Sequence, residues 1–272
     1  MKFEHTLTSN WENAFRGLRH PLESYKKSDS KFGLAPVDYM NDIEEDFVNI
    51  IWEARDEKDE NPYGYEKLLT FYQNNDDIKY DPRYEIYEYA LLGPNDLDLA
   101  QRMIKAGTPN DKFLRQIFVS VDVTAPLYFY KELDTYKVAT VANSTSTMHK
   151  LASTPITKDC FEMDDYNGSL KMYDREPYNI DDYVDDICDN IIDYCETLRK
   201  RYLETKDIRY WKELIRWLPE SWLQTRTWTA NYSVLRNIYH WRRTHKLTEW
   251  HSFCHWVEGL PYAEKLITFD NK

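Results

Sequence analysis

The sequence predicts an α+β fold that is predominantly helical and contains a small central sheet. Apolar residues recur at three- and four-residue spacing between 181 and 202, which is typical of a long amphipathic helix. Residues 117–123 (IFVSVDV) alternate and are rich in β-branched types, so they predict a strand. After residue 202, the rest of the chain is helical in pattern as well. With 272 residues, such a chain can bury a core without disulfide or metal support.

The other elements follow in chain order from local signals. The run NDLDLAQRMIKAGTP predicts a short helix with Asp96 as its N-cap and a Gly-Thr-Pro stop. Ala125-Pro126 opens a helix that we expect to continue through Ala142. Residues 152–179 contain Pro and Gly and predict irregular structure. Leu218-Pro219 ends one helix, and residues 230–244 and 248–260 predict two more.

Charge and composition exclude several classes of function. The chain has 47 acidic and 35 basic residues and a formal net charge of −12, which argues against nonspecific binding to nucleic acid. No segment approaches the roughly 18 apolar residues that a membrane span requires. The first residues lack the basic and apolar regions of a secretory signal. The four cysteines form no CxxC pair and predict reduced thiols. We therefore expect a cytoplasmic protein that binds neither membranes nor nucleic acid.

Residues 226–246 form a local basic window that contains no Asp or Glu. Its members are Arg226, Arg236, Arg242, Arg243 and Lys246, together with His240 and His245. Guanidinium groups bind phosphate through two parallel hydrogen bonds, so this window is a candidate phosphate site. The alternative is a basic surface helix that pairs with acidic helices elsewhere in the chain. The sequence alone leaves both open.

Other motifs give little support for metal or dinucleotide chemistry. His251 and His255 have a zinc-binding spacing, but HSFCH lacks the Glu of H-E-x-x-H, so we predict no metal site. No glycine-rich phosphate loop is present. Residues 42–60 are strongly acidic, which predicts a solvated helix face rather than a cluster of metal ligands.

A C-terminal signature gives a family resemblance. Leu218-Pro219, then the run Trp228-Thr229-Ala230-Asn231, then Arg242 resemble the C-terminal pattern of the flavin-dependent thymidylate synthases. The upstream runs DLDLAQRMIKAG and VDVTAPLYFYKELDTYKVATVANSTSTM are also similar to the family, and the resemblance covers roughly residues 95–249. It implies the fold of that family, with a nucleotide-binding domain at 91–272 that follows an N-terminal helical extension at 1–90.

The family's diagnostic motif is not retained. The R-H-R triplet that holds flavin and the uridylate phosphate corresponds to Thr135-Tyr136-Lys137, so Lys137 alone keeps a positive charge. Glu132 stands where the family has Gln, and its carboxylate would repel a phosphate. The polar positions that follow the triplet become Thr140, Ala142, Asn143, Thr145 and Thr147, the Arg of N-x-R becomes Ser233, and the Arg before Leu-Pro is displaced to Arg216.

The resemblance implies a set of site residues. Arg242 would be catalytic and bind substrate, with Arg216, Lys137, Asn143 and Thr145 as the other substrate-binding residues. Asn231, Asn237 and Lys137 would bind the cofactor.

For an active member, the resemblance implies that FAD relays a methylene group from a folate to dUMP, with NADPH as reductant, to give dTMP. Motif loss weakens the expectation of flavin binding and leaves the enzymatic activity uncertain. The alternatives are a catalytically lapsed nucleotide-binding or scaffolding protein and a related enzyme that modifies another nucleotide. Aromatic residues make up 15% of the chain, and together with the family resemblance they favour a homo-oligomer, expected to be a homotetramer.

Overall fold

The structure is a computed structural model, and it describes residues 1–36, 86–164, 166–170 and 183–270. The acidic stretch at 42–60 lies outside these residues, and so does the end of the segment expected to be irregular.

The described residues form strands, α-helices and short 3-10 turns. The strands are β1 (Lys2–Ser9), β2 (Lys31–Pro36), β3 (Ile86–Leu91), β4 (Phe118–Pro126), β5 (Val141–Ser144) and β6 (Leu223–Asn231). The helices are α1 (Trp11–Arg19), α2 (Pro94–Ala106), α3 (Leu127–Leu133), α4 (Thr147–Lys150), α5 (Val184–Thr205), α6 (Ile208–Trp217), α7 (Tyr232–Arg242), α8 (Thr248–Glu258) and α9 (Ala263–Leu266). One sheet has the strand order β1-β4-β6-β5, and β2 and β3 form a second, two-stranded sheet. This architecture confirms the predicted α+β class with a small sheet.

The chain divides into two compact units. The first unit contains Met1–Thr6, Ser120–Ala230 and Trp241–Trp256, and the second contains Leu7–Val119, Asn231–His240 and Val257–Lys272. The division of the sequence at residue 90 stays a prediction.

The first unit is built on the four-stranded sheet. On β4, Val121, Val123 and Ala125 are buried and alternate with half-buried polar residues, which is the pattern of a strand with one face on the core. The β5 strand is short and exposed, and it pairs antiparallel with β6 from Val141↔Thr229 to Ser144↔Arg226. The sheet therefore ends in an exposed edge strand.

Helices α5 and α6 form a hairpin in the first unit, and the left-handed Lys206 (φ 57°) ends α5. Their apolar faces contribute to one core cluster, whose buried members are Leu151, Ile156, Phe161, Ile192, Cys195, Leu198 and Leu214. A second group of buried side chains joins α3 to α8, where the ring centroids of Phe129 and Trp250 lie 4.7 Å apart. Both groups obey the three- and four-residue spacing seen in the sequence.

The second unit holds α1 and α2 together by a buried ion pair. Arg19 Nε donates to Asp96 Oδ1 at 2.5 Å, and both side chains are buried. Asp96 Oδ2 accepts hydrogen bonds from the hydroxyls of Ser28 and Ser30 at 2.7 and 2.6 Å. Asp96 is therefore a buried ionic anchor and not the N-cap that we expected. The helix starts instead after Gly93, with Pro94 at its first position, where a missing N–H has no consequence.

Two further helix predictions need correction. The helix after Pro126 ends at Leu133 and does not run through Ala142, because the chain turns at residues 134–140 and Ala139 adopts a positive φ of 61°. Residues 230 and 231 still belong to β6, so the helix predicted for 230–244 covers only Tyr232–Arg242. The ends of α5 and α6 lie within a few residues of their predicted positions.

None of the four cysteines, all of which lie in the described residues, forms a disulfide. Burial raises the pKa of the Cys195 thiol. Among the described residues, no group of three or more His, Cys, Asp or Glu side chains is placed to hold a metal ion. In the same part of the chain no helix combines the length and the apolar character needed to cross a bilayer.

Candidate functional site

A surface cavity of about 270 Å³ lies in the first unit, where the end of α3 meets β5 and β6. Its lining residues are Leu133, Asp134, Lys137, Thr140, Ala142 and Trp228. The lining is assembled by two local features. Cross-strand pairing sets Ala142 opposite Trp228, and the last residue of α3 and the turn after it carry the remaining residues. A cavity of this size approaches the lower end of the range found for small-molecule sites, about 300 Å³.

Lys137 supplies the positive charge of this cavity. It is exposed, and it makes no ion pair with any described residue. The acidic residue in the lining, Asp134, accepts two hydrogen bonds from Arg226 Nη1 at 3.0 and 3.1 Å, so its charge is compensated. Because Lys137 is uncompensated and Asp134 is paired, the cavity favours an anionic ligand.

Contacts with Tyr130 and Gln224 hold the Arg226 side chain of the Asp134–Arg226 pair in place. The guanidinium carbon of Arg226 lies 3.8 Å from the ring centroid of Tyr130, and Arg226 Nε donates to Gln224 Oε1 at 2.9 Å. The Tyr130 hydroxyl lies 2.5 Å from the carbonyl oxygen of Val123, and burial raises the pKa of this tyrosine. Arg226 is therefore held by Asp134, Gln224 and Tyr130, and it does not line the cavity.

Arg242 lies at the end of α7 in a second polar cluster. Its Nη1 donates to Glu132 Oε2 at 2.7 Å, and its Nε donates to the hydroxyl of Tyr136 at 2.9 Å. Glu132 Oε2 also accepts a hydrogen bond from Trp250 Nε1 at 2.9 Å, and His245 Nε2 lies 3.6 Å from the same oxygen. The Arg242 guanidinium covers the Trp250 ring at 4.6 Å. We call these residues, Glu132, Tyr136, Arg242, His245 and Trp250, the Arg242 cluster.

The cavity and the Arg242 cluster share one short segment of chain. Residues 132–137 contribute Glu132 and Tyr136 to the cluster and Leu133, Asp134 and Lys137 to the cavity. A hydrogen bond from the Thr135 hydroxyl to the Glu132 carbonyl oxygen, at 2.7 Å, fixes this turn at the end of α3. Lining and cluster residues are therefore direct neighbours in the chain, Leu133 next to Glu132 and Lys137 next to Tyr136.

The structure assigns partners to three arginines of the basic window. Arg226 pairs with Asp134 and Arg242 with Glu132. Arg236, in the second unit, donates to the carbonyl oxygens of Ile267 and Phe269 at 2.6 and 2.9 Å, and burial lowers its pKa. For these residues the structure supports the alternative in which the basic residues serve structural contacts.

Three further predicted substrate residues also belong to the first unit. Asn143 is exposed on β5 opposite Thr227, next to the cavity residue Ala142. Thr145 follows β5, and its backbone N–H donates to the Thr225 carbonyl oxygen at 2.9 Å. Arg216 forms an ion pair with Glu213 on its own helix. The described lining of the cavity contains Lys137 but not Arg216, Arg242, Asn143 or Thr145.

The two predicted flavin-facing asparagines belong to the second unit. Asn231 is buried, and its Oδ1 accepts a hydrogen bond from the backbone N–H of Val234 at 3.0 Å, which caps the first turn of α7. Asn237 is exposed and forms no hydrogen bond with the described residues. Of these two side chains, Asn237 has its full hydrogen-bonding capacity available.

Sequence reasoning missed a partly buried tyrosine–carboxylate contact in the first unit. The Tyr128 hydroxyl donates to Glu249 Oε1, and Glu162 Oε2 lies 3.3 Å from the same hydroxyl. Burial, together with the Glu249 carboxylate, raises the pKa of Tyr128. The role of Asp134 was also missed, although the sequence contains a signal, since Asp134 directly precedes the altered triplet.

The fold is that of the flavin-dependent thymidylate synthases. Two solved structures of the Helicobacter pylori enzyme ThyX, both with FAD and dUMP, match this chain with a TM-score of 0.55. Their sequences are 13% and 14% identical to this one, and each match covers 98% of both chains. No family model and no curated protein matches the sequence. At this level of identity the likeness establishes the fold.

Proposed function

We propose that this chain binds a pyrimidine nucleotide of the dUMP type, with the ligand phosphate at Lys137. The observation that carries the proposal is the cavity of about 270 Å³, in which Lys137 is uncompensated and Asp134 is neutralised by Arg226. The shared fold supports it, because the Helicobacter pylori enzyme with that fold is described with FAD and dUMP. We further propose that residues 91–272 are the nucleotide-binding domain and that residues 1–90 are an extension.

The neighbouring predicted residues would complete the site around the nucleotide. Asn143 is adjacent to the cavity residue Ala142 on β5, and Thr145 follows the end of that strand. Their assignment to the sugar or the base rests on the family resemblance, because successive side chains of a strand point to opposite faces. Arg242 belongs to the cluster that shares residues 132–137 with the cavity. Arg216 has an acidic partner on α6, so we rank it below Lys137 as a phosphate ligand.

The described residues fit a flavin poorly. A flavin dinucleotide carries a diphosphate, and Lys137 alone of the former triplet could neutralise it. The Oδ1 atom of Asn231 is used to cap α7, which leaves Asn237 as the available asparagine. We therefore propose that FAD, if it binds, binds weakly, and we derive no reaction step through it. Purified protein with an absorbance band at about 450 nm would show bound oxidised flavin.

Methyl transfer to dUMP, with a folate and NADPH, is the enzymatic form of this proposal. Formation of dTMP from these reactants would establish it. The second candidate is a nucleotide-binding protein that has lost catalysis. The ion pair between Arg242 and Glu132 favours this second candidate, because it occupies the arginine that the family resemblance makes catalytic.

We also propose that the chain forms a homo-oligomer, expected to be a tetramer, through the α5–α6 hairpin. Ile191 and Tyr194 on α5 and Trp217 on α6 are exposed apolar residues, and the rings of Tyr194 and Trp217 are in edge contact at 6.5 Å. Aromatic side chains of this kind are enriched in subunit interfaces.

Calorimetric titration with dUMP tests the binding proposal. We expect Lys137→Ala to weaken binding by about tenfold, because it removes one charge-assisted hydrogen bond to the phosphate. The matched control is Lys131→Ala, since Lys131 is an exposed lysine on α3 that pairs with Glu220 and does not line the cavity. A wild-type chain that binds no dUMP would reject the nucleotide assignment. Equal affinity in both variants would reject Lys137 as the phosphate ligand.

A further inference from the structure

We propose that Glu132 determines the charge of the ligand that this site accepts, a proposal that rests on nucleotide binding in the first unit. In this reading Glu132 neutralises Arg242, so that the Arg242 cluster binds an uncharged hydrogen-bonding edge of the ligand. The single anionic group of the ligand is then left to Lys137.

The Glu132–Arg242 ion pair is held by contacts on both of its side chains. Glu132 Oε2 accepts hydrogen bonds from Arg242 Nη1 at 2.7 Å and from Trp250 Nε1 at 2.9 Å. Arg242 is further fixed by the Tyr136 hydroxyl and by the face of Trp250. Two donors hold the Glu132 carboxylate, and two aromatic residues hold Arg242. The two side chains of the ion pair therefore do not separate easily. The guanidinium charge is therefore compensated within the chain.

The second oxygen of Glu132 and the second terminal nitrogen of Arg242 remain available to a ligand. Glu132 Oε1 and Arg242 Nη2 have no hydrogen-bond partner among the described residues, and neither atom is buried. The Glu132 side chain is 35% exposed and that of Arg242 is 19% exposed. The pair thus keeps one acceptor and one donor in reach of solvent. An acceptor beside a donor complements a ring edge that has adjacent N–H and C=O groups, such as a pyrimidine imide.

Electrostatic repulsion disfavours the binding of a phosphate at the Glu132–Arg242 pair. The oxygen of a phosphate would have to displace a carboxylate that already makes the charge-assisted contact, and the ionised Glu132 would repel it. At Lys137 no described carboxylate opposes the ligand, because Asp134 is bound to Arg226. The chain therefore selects a ligand with one anionic group and a neutral ring.

The test compares wild type with Glu132→Gln, which keeps an acceptor oxygen for Arg242 and Trp250 but removes the charge. The probes are inorganic phosphate, dUMP and its neutral nucleoside deoxyuridine, titrated by calorimetry at one pH and salt concentration. We expect Glu132→Gln to bind inorganic phosphate about tenfold more tightly than wild type. The preference for dUMP over deoxyuridine should change by less than about threefold, because the dUMP phosphate lies at Lys137 and only the neutral ring edge meets the cluster.

Removing Arg242 separates its charge from other effects of the first substitution. Arg242→Gln added to Glu132→Gln should abolish the gain, whereas Arg242→Gln alone should change phosphate affinity by less than about threefold, because the charge is already neutralised. The matched control is Glu204→Gln, which removes a carboxylate from an exposed pair with Arg201 on α5 and should change nothing.

Two results would overturn the inference, and a different result would overturn the proposed function. Unchanged phosphate affinity in folded Glu132→Gln contradicts the role of Glu132. So does a tenfold loss of phosphate affinity in Arg242→Gln alone, a result that needs no folded Glu132 variant. Failure of wild type to bind dUMP, with the phosphate gain present in Glu132→Gln, contradicts the nucleotide assignment but not the effect of Glu132 on charge.

Discussion

Replacing Arg242 with Ala tests whether the ion pair with Glu132 supports the fold. Exposed ion pairs contribute about 0–1 kcal/mol, whereas removing one partner of a fully buried pair costs about 3–5 kcal/mol. The 19% and 35% exposure of the two side chains places this pair between those limits. Loss of the contact with the Trp250 ring adds about 0.5–1 kcal/mol. We expect Arg242→Ala to lower the free energy of unfolding by about 2–3 kcal/mol.

Urea and thermal unfolding measure this loss. For a chain of this length, about 2–4 °C of melting temperature corresponds to each kcal/mol, so the midpoint should fall by about 5–10 °C. Arg242→Lys is the matched control: it keeps a positive charge opposite Glu132 but loses the planar fork and the stacking on Trp250. It should recover part of the loss.

A double-mutant cycle with Glu132→Gln isolates the pair from the rest of the cluster. The coupling free energy should be about 1–2 kcal/mol, because the two side chains are in direct contact at 2.7 Å. If the free energy of unfolding of Arg242→Ala lies within about 0.5 kcal/mol of the wild-type value, the guanidinium has no structural role and our account of the cluster is wrong.

Two other predictions concern stability in acid and assembly. Burial by itself would raise the pKa of Asp96, but hydrogen bonds from Ser30, Ser28 and Arg19 together with the charge of Arg19 outweigh burial and lower it. The carboxylate therefore adds stability above its unfolded pKa of about 3.9, and this stability is lost as the pH falls through the lower folded pKa. Asp96→Asn should lose about 3 kcal/mol at neutral pH, with the difference from wild type shrinking in acid unfolding curves; a constant difference would contradict the ionic anchor. Trp217→Ser should lower the mass measured by light scattering if the α5–α6 hairpin is the subunit interface, and an unchanged oligomer mass would exclude that surface.

Much of the fold could be predicted from the spacing at which apolar residues repeat in the sequence. The helices α5 and α8 and the strand β4 each bury one face, so their apolar residues repeat in the sequence. The β5 strand could not be found in this way, because all of its residues are exposed and no alternation marks it. The end of α3 was missed for a related reason: the turn at residues 134–140 contains no Gly or Pro, and Ala139 adopts its positive φ without either.

The candidate site was only partly predictable. Lys137 could be selected from its position in the altered triplet, and the structure places it in the cavity lining. The ion pairs of Arg226 and Arg242 could not be predicted from the basic window, because the window contains no acidic residue. Their carboxylate partners, Asp134 and Glu132, precede the window by about a hundred residues. Local charge counts do not report pairs that only the fold brings together.

The altered triplet explains why the fold and the ligand preference have to be considered separately. Tyr136 now orients Arg242 through its hydroxyl, and Lys137 lines the cavity, so two of the three positions still contact groups proposed for the site. Their chemistry has changed from several cations to one uncompensated lysine beside a neutralised arginine. Attraction to a diphosphate depends on more positive charges than attraction to a single phosphate. We therefore expect the difference at the triplet to weaken flavin binding more than it weakens the proposed binding of a mononucleotide.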